Sequence, residues 1–161
     1  VRLRPTLRHL GVTAPVASVE RSWPVVWYFG SSAEEEFYCR PEGGGMMVSA
    51  CEVVDADPDR FETVDECRTE IARKCGVYLP LLEESGLAHF WCGMRTLTDD
   101  GNFVVGADPD RPGLFWVAGL GGSGMVASAE VGRIASALLC GEDVEPEFVK
   151  ALSPERSAVR G

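Results

Sequence analysis

No stretch of this 161-residue chain approaches the ~18 consecutive apolar residues of a membrane span. The opening Val1-Arg2-Leu3-Arg4-Pro5 has neither an initiator Met nor an apolar h-region. The sequence therefore predicts no signal peptide and no transmembrane helix, and points to a processed or excised chain in the cytoplasm. Basic charge is scarce: Lys+Arg 15 against Asp+Glu 25 leaves a net charge of -10. Such a surface repels phosphate backbones and anionic lipid, which argues against nucleic-acid or membrane-surface partners. Histidine is scarcer still, with only His9 and His89, in unrelated segments, and His89 reads as structural. The six cysteines (39, 51, 67, 75, 92 and 140) form no C-x-x-C pair, so no metal site is expected, and the thiols read as reduced, mostly buried small hydrophobes. Internal repeats and low-complexity tracts are missing too. What remains, 45% hydrophobic and 25% charged residues, is the balance of one globular domain with a sizeable core.

The first third reads as strands and turns. Arg8–Thr13 and Val25–Phe29 are rich in β-branched and aromatic residues. Glu36–Pro41 and Met46–Ala50 flank the glycine cluster Gly43-Gly44-Gly45, which predicts a hairpin with a longer loop. The acidic run Glu34-Glu35-Glu36 reads as a solvated loop. Val64, Cys67, Ile71 and Cys75 step by three or four and predict a helix over 62–75, with Arg73 and Lys74 near its end and Gly76 as C-cap. Leu79–Ser85 reads as a short irregular or helical stretch. Strand character returns over Gly86–Thr98, and Asp99-Asp100-Gly101-Asn102 reads as a solvated hairpin-type turn. Short strands follow at Phe103–Gly106 and Leu114–Ala118, then a helix over Met125–Leu139 with small residues on one face, then a short helix opened by Glu145-Pro146-Glu147.

Gly119-Leu120-Gly121-Gly122-Ser123-Gly124 fits G-x-G-x-x-G between a strand and a helix. The second strand and terminal acid of a dinucleotide fingerprint do not follow, and no Lys-Ser/Thr marks a P-loop, which counts against a small stand-alone nucleotide module. Two readings stay open. In one, the glycines let an electron-rich ligand approach the free N–H groups of the helix start at Gly121–Met125. In the other, they only permit tight strand–helix packing.

The block Trp91-Cys92-Gly93-Met94-Arg95-Thr96-Leu97-Thr98-Asp99-Asp100-Gly101-Asn102-Phe103-Val104-Val105-Gly106 resembles the W-x-G-x-R-x-x-T-x-D-G-x-P-x-x-G stretch of the FAD-dependent D-amino-acid oxidase, glycine oxidase and sarcosine oxidase superfamily. Pro112-Gly113-Leu114-Phe115, the Gly119–Gly124 turn, the Tyr38-Cys39-Arg40-Pro41 strand and the Leu152–Arg156 tail extend the likeness over nearly the whole chain, in order. The family's N-terminal pyrophosphate-binding βαβ unit has no counterpart here, so the resemblance is to a C-terminal half.

The resemblance implies an α+β fold: an antiparallel-rich substrate-domain sheet with one packed helix, plus a C-terminal strand and long helix that complete a flavin-binding domain. Residues 1–98 would form the substrate-binding sheet, 99–141 the last strands and helix of the FAD domain, and 142–161 a short helix and tail. It implies an oxidoreductase that removes hydride from the carbon of an amine or amino acid, with FAD as a non-covalent cofactor and the flavin carrying the redox chemistry. Arg95 matches the arginine that grips the substrate carboxylate, and Tyr38 the tyrosine that assists there. Gly119, Gly121, Gly122, Ser123, Gly124 and Met125 match the turn that faces the pyrimidine end of the isoalloxazine, where a helix N-terminus stabilises the reduced anion. Many relatives have a histidine at the position of Ser123. The flavin-tethering cysteine of some relatives matches Gly93, with Cys92 one residue off and facing the other way. Arg95 and the mouth of the last long helix are expected on opposite sides of one flavin-sized hollow. The partners implied are a small amine or amino-acid substrate and the missing FAD-binding half, which makes FAD binding by this chain alone weak; homo-oligomerisation stays open. The rival reading is a non-catalytic, stand-alone remnant acting through protein association.

Overall fold

Gly43 and Gly44 both have positive φ, 60° and 84°, and Gly45 rejoins the ladder opposite Glu42. That is a two-residue primed turn, so the hairpin is tighter than the longer loop its glycines predict. The computed structural model describes residues 1–82 and 84–160. Glu83, in the expected 79–85 stretch, and Gly161, in the tail, lie outside the described residues.

The fold is α+β with antiparallel sheets. The hairpin joins β3 (Phe37–Glu42) to β4 (Gly45–Ser49) in a sheet that also holds β1 (Arg4–Thr13), β2 (Val26–Tyr28) and β5 (Val54–Asp55), in the order β2-β3-β4-β1-β5. The long strand β6 (Leu87–Leu97) also pairs with β1. A second sheet pairs β7 (Val104–Ala107) with β8 (Phe115–Ala118), with Val104 opposite Ala118. The helices are α1 (Asp65–Tyr78), α2 (Gly124–Cys140) and α3 (Pro146–Leu152). Among the described residues no helix is long and apolar enough to cross a membrane.

Two compact units emerge: Leu7–Met94, and Val1–Thr6 together with the chain from Arg95 onward. The division falls inside β1 and β6, both of which supply residues to each unit.

In the first unit, alternation sorts the sheet's two faces. Phe37, Cys39, Met46 and Val48 pack with Ile71 and Cys75 of α1 and with Leu82. Tyr38, Arg40, Met47 and Ser49 alternate with them and so point to the other face. Helix α1 begins three residues later than expected, because Val64 is extended (φ -105°, ψ 120°) and gives its N–H to His9 Nε2 at 3.1 Å. It runs through Gly76, which is not the C-cap; Leu79 caps instead, and Pro80 drives that residue out of helical geometry.

The sequence places Lys74 near the helix end, where a cation suits the dipole; the structure buries it to 2% exposure. Its Nζ donates to the Glu36 and Ala50 carbonyls at 2.7 Å each. Nor is the Glu34–Glu36 run simply solvated. Glu35 Oε2 accepts the Ser31 N–H at 2.7 Å and its hydroxyl at 3.0 Å, bonds that lower the Glu35 carboxyl below its usual range.

In the second unit, Val105 packs with Val131, Ile134 and Ala135 of α2, and Phe115, Leu120, Leu138 and Leu152 close around them. Gly141 ends α2 in the left-handed region (φ 72°), and the Glu142 N–H returns to the Ala137 carbonyl at 2.8 Å. The Asp99–Asn102 turn closes no hairpin: β6 pairs with β1 and β7 with β8, so the turn passes the chain between sheets.

Candidate functional site

In the second unit the turn before α2 folds back on the end of β6. The Gly121 N–H donates to the Thr96 carbonyl at 3.0 Å. Side chains on these glycines would collide with that strand. A Cβ on Gly119 would lie 2.9 Å from Thr98 Cγ2, and one on Gly121 2.8 Å from Leu97 Cδ2. Both glycines also hold positive φ, 70° and 52°, which L side chains rarely adopt. Close packing therefore accounts for Gly119 and Gly121, and Gly124 approaches Leu120 in the same way, at 3.3 Å.

Gly122 differs in what it faces. A Cβ there would stand 3.0 Å from Nη1 and 3.1 Å from Cζ of Arg95. The guanidinium thus lies against the bare backbone of the turn, so Arg95 and the helix mouth adjoin directly instead of standing across a hollow. The cation sits beside the positive end of a 17-residue helix, a pairing that favours an anion at this corner. Ser123 is the N-cap residue but makes no side-chain cap bond; its N–H goes to the Leu120 carbonyl at 3.0 Å. Met125 and Val126 in the first turn are 90% and 91% exposed, so the start of α2 is open to a ligand.

The neighbouring turn is pinned, not merely solvated. Arg156 Nε and Nη2 donate to Asp100 Oδ2 and Oδ1 at 2.7 and 3.1 Å, and Nη2 also donates to the Asn102 carbonyl at 2.7 Å. Thr98 Oγ1 and the Asn102 N–H add bonds to Oδ1 at 3.0 and 3.1 Å. These donors, Arg156 first, hold the Asp100 carboxyl far below the usual carboxylate range. The 56-residue separation of the pair hid it from sequence reasoning, although the tail Leu152–Arg156 belongs to the family-like pattern.

Tyr38 lies in the first unit, on the sheet face away from α1, with its ring 5.9 Å from that of Trp27. Cys92 alternates with Trp91 and so shares the side of Phe90, whose ring stacks on His9 at 5.5 Å; burial raises its thiol pKa. His89 is exposed, while His9 is fully buried. One ligand atom each from His9, Glu52 and Cys67 come within 4.8 Å of one another. His9 Nδ1 is 2.9 Å from Glu52 Oε1, and its Nε2 accepts from Val64. That acceptor role fixes the Nδ1–H tautomer, so a cation on this ring would have to break one of the two bonds.

The profile of the DAO family, FAD dependent oxidoreductases, matches residues 1–138, and the chain belongs to that family. It is 29% identical over 136 residues to a glycine oxidase of Bacillus licheniformis, covering 81% of this chain and 37% of the relative. It is 30% identical over 137 residues to a D-amino acid dehydrogenase of Xylella fastidiosa (strain M23), covering 83% of this chain and 29% of the relative. The chain thus spans about a third of the length of these relatives. Among solved structures, the glycine oxidase of Geobacillus kaustophilus superposes with a TM-score of 0.73 at 20% identity, over 96% of this chain and 40% of that one. The fructosamine oxidase of Aspergillus fumigatus gives 0.77 at 15% identity, over 99% and 42%. Both likenesses establish the shared fold.

Proposed function

We propose that this chain is the substrate-sheet and helix-mouth portion of an FAD-dependent oxidoreductase acting on an amine or amino acid. The contact of the Arg95 guanidinium with Gly122 at the start of α2 carries this reading. Residues 1–98 serve as the substrate sheet, 99–141 as the last strands and helix of the flavin domain, and 142–161 as the closing tail. When bound, FAD accepts the hydride removed from the carbon that bears the amine.

This chain's own residues bind and orient. Arg95 offers two parallel N–H donors to a substrate carboxylate, and in the first unit the Tyr38 hydroxyl offers a hydrogen bond to a carboxylate. Residues Gly119 to Met125 supply a glycine-rich turn and the N–H groups of the first helical turn to the electron-rich edge of the flavin. The absence of Cβ at Gly122 fits that role, since a side chain there would fill the approach to Arg95. Cys92 lies on the Phe90 side of β6, which supports non-covalent retention of the cofactor.

The test is loss of the flavin's visible absorbance on anaerobic addition of a panel of amino acids and secondary amines to the polypeptide carrying this sequence. Reduction by a carboxylated amine is expected. Arg95→Ala should lower kcat/KM for that substrate by about 30-fold or more, the effect of roughly 2 kcal/mol or above for truncating a buried charge pair. Unchanged kinetics in the variant would remove Arg95 from the site, and failure of every amine to reduce the flavin would overturn the reading.

One observation favours association as a second reading: Val25–Phe29 is a run of five exposed apolar residues, with Trp27 stacked on Phe29 at 4.9 Å. A monomer by sedimentation at all concentrations, with no partner gained on adding the remainder of a relative, would set this reading aside.

A further inference from the structure

On the sheet face that carries Tyr38, an open groove of about 640 Å³ runs from the β3–β4 hairpin across the sheet. Cross-strand register assembles its floor. Arg40 stands opposite Met47, and Met47 opposite Val12; His89 and Trp91 of β6 complete the lining. Trp91 is 40% exposed in the groove wall. Around the hairpin, Arg40 also lines a second hollow of about 460 Å³ together with Arg21 and Glu42. Arg21 has no ion-pair partner among the described residues. Arg40 Nη2 bonds Glu42 Oε2 at 2.7 Å, with both side chains about two-fifths exposed. On a chain with a net charge of -10, the Arg40–Glu42 pair therefore stands at the end of a tryptophan-walled groove, and a second guanidinium, Arg21, lines the adjoining hollow that Arg40 and Glu42 share.

We infer that this groove selects ligands whose apolar body ends in a second acidic group, the body lying on Val12, Met47 and Trp91 and the acid reaching Arg40 and Arg21. Planar guanidinium recognises carboxylate through two parallel donors, and the apolar floor excludes water from one side of the pair. Glu42 competes for Arg40 and repels an incoming anion, so it tempers the affinity. The inference rests on the proposed function in one respect: Tyr38 and Arg40, two residues apart on one strand face, then serve the two ends of one substrate, an amine carrying two carboxylates.

The 161-residue chain suits titration by amide NMR, with glutamate and glutamine, in both enantiomers, as probes. Glutamate of one hand should shift the signals of Arg40, Gly43, Met47 and Trp91, and bind at least tenfold more tightly than glutamine. Arg40→Ala should abolish that preference, and Glu42→Gln should strengthen glutamate binding severalfold without changing glutamine. Tyr38→Phe should weaken both probes alike. Equal binding of the two probes, unaltered by Arg40→Ala or Glu42→Gln, would overturn the inference; if Tyr38→Phe still weakened both, the proposed function would stand. No binding of either probe, or binding indifferent to Tyr38, would overturn both.

Discussion

Replacing Lys74 with methionine probes the least surface-like lysine in the chain. The substitution keeps the aliphatic stem and removes the ammonium that ties the Glu36 carbonyl to the Ala50 carbonyl. At 2% exposure, water cannot take its place. The two carbonyls lie just before β3 and just past the end of β4, so loss of these bonds loosens both strands against α1. Leaving a buried acceptor unpaired costs about 1–3 kcal/mol. Part of this is offset, because the cation no longer has to be stripped of water. A net loss of about 2–4 kcal/mol follows, within the range of core substitutions that break a named network. Urea unfolding followed by far-ultraviolet circular dichroism reads this directly. With a slope of about 2 kcal/mol/M, the midpoint should fall by about 1–2 M. Lys74→Arg should recover less than half, since its planar fork does not reproduce a compact ammonium between two carbonyls. A Lys74→Met midpoint within about 0.25 M of the parent, at that slope, would refute the buried staple.

Asp100 and the cysteines supply further tests. Because its donors depress the Asp100 carboxyl, its contribution to stability is complete above the unfolded aspartate value near pH 4 and drains away as pH falls below that value. Asp100→Asn should therefore cost about 1–2 kcal/mol at neutral pH, and should narrow the gap to the parent on acidification to about pH 2; a gap that stayed constant with pH would contradict the Arg156 pairing. In a thiol-reagent time course, Cys140 should react first and Cys92 next, while Cys39, Cys51, Cys67 and Cys75 should react only on unfolding. Burial raises Cys67 to about 11 and Cys75 to about 12, which removes the thiolate that attacks the reagent. Rapid native-state labelling of four or more thiols would contradict that packing.

Strand alternation and helical spacing were legible because they report on local burial. Phe37 and Cys39 against Tyr38 and Arg40 carry a period of two, and Cys67, Ile71 and Cys75 the period of a helix. Lys74 falls on that same helical stripe, between Ile71 and Cys75, and position alone could have flagged it; its charge argued the other way. The start of α1 was not readable, since it depends on a histidine 55 residues upstream accepting the Val64 N–H. The Asp100–Arg156 pair is hidden for the same reason. At the candidate site, motif order pointed to Arg95 and to the glycine turn, whereas their direct contact and the packing roles of Gly119 and Gly121 are properties of three-dimensional closeness that a linear pattern does not encode.

The tether from Gly121 to Thr96 bears on how such proteins diverge and how they can be recombined. A guanidinium resting on a turn that is itself laced to the guanidinium's own strand cannot be re-aimed by altering either piece separately. Exchanges with homologous sequences should therefore carry 95–124 as one cassette: a crossover between 98 and 119 would join a turn shaped for one strand to a strand shaped for another, and misalign both.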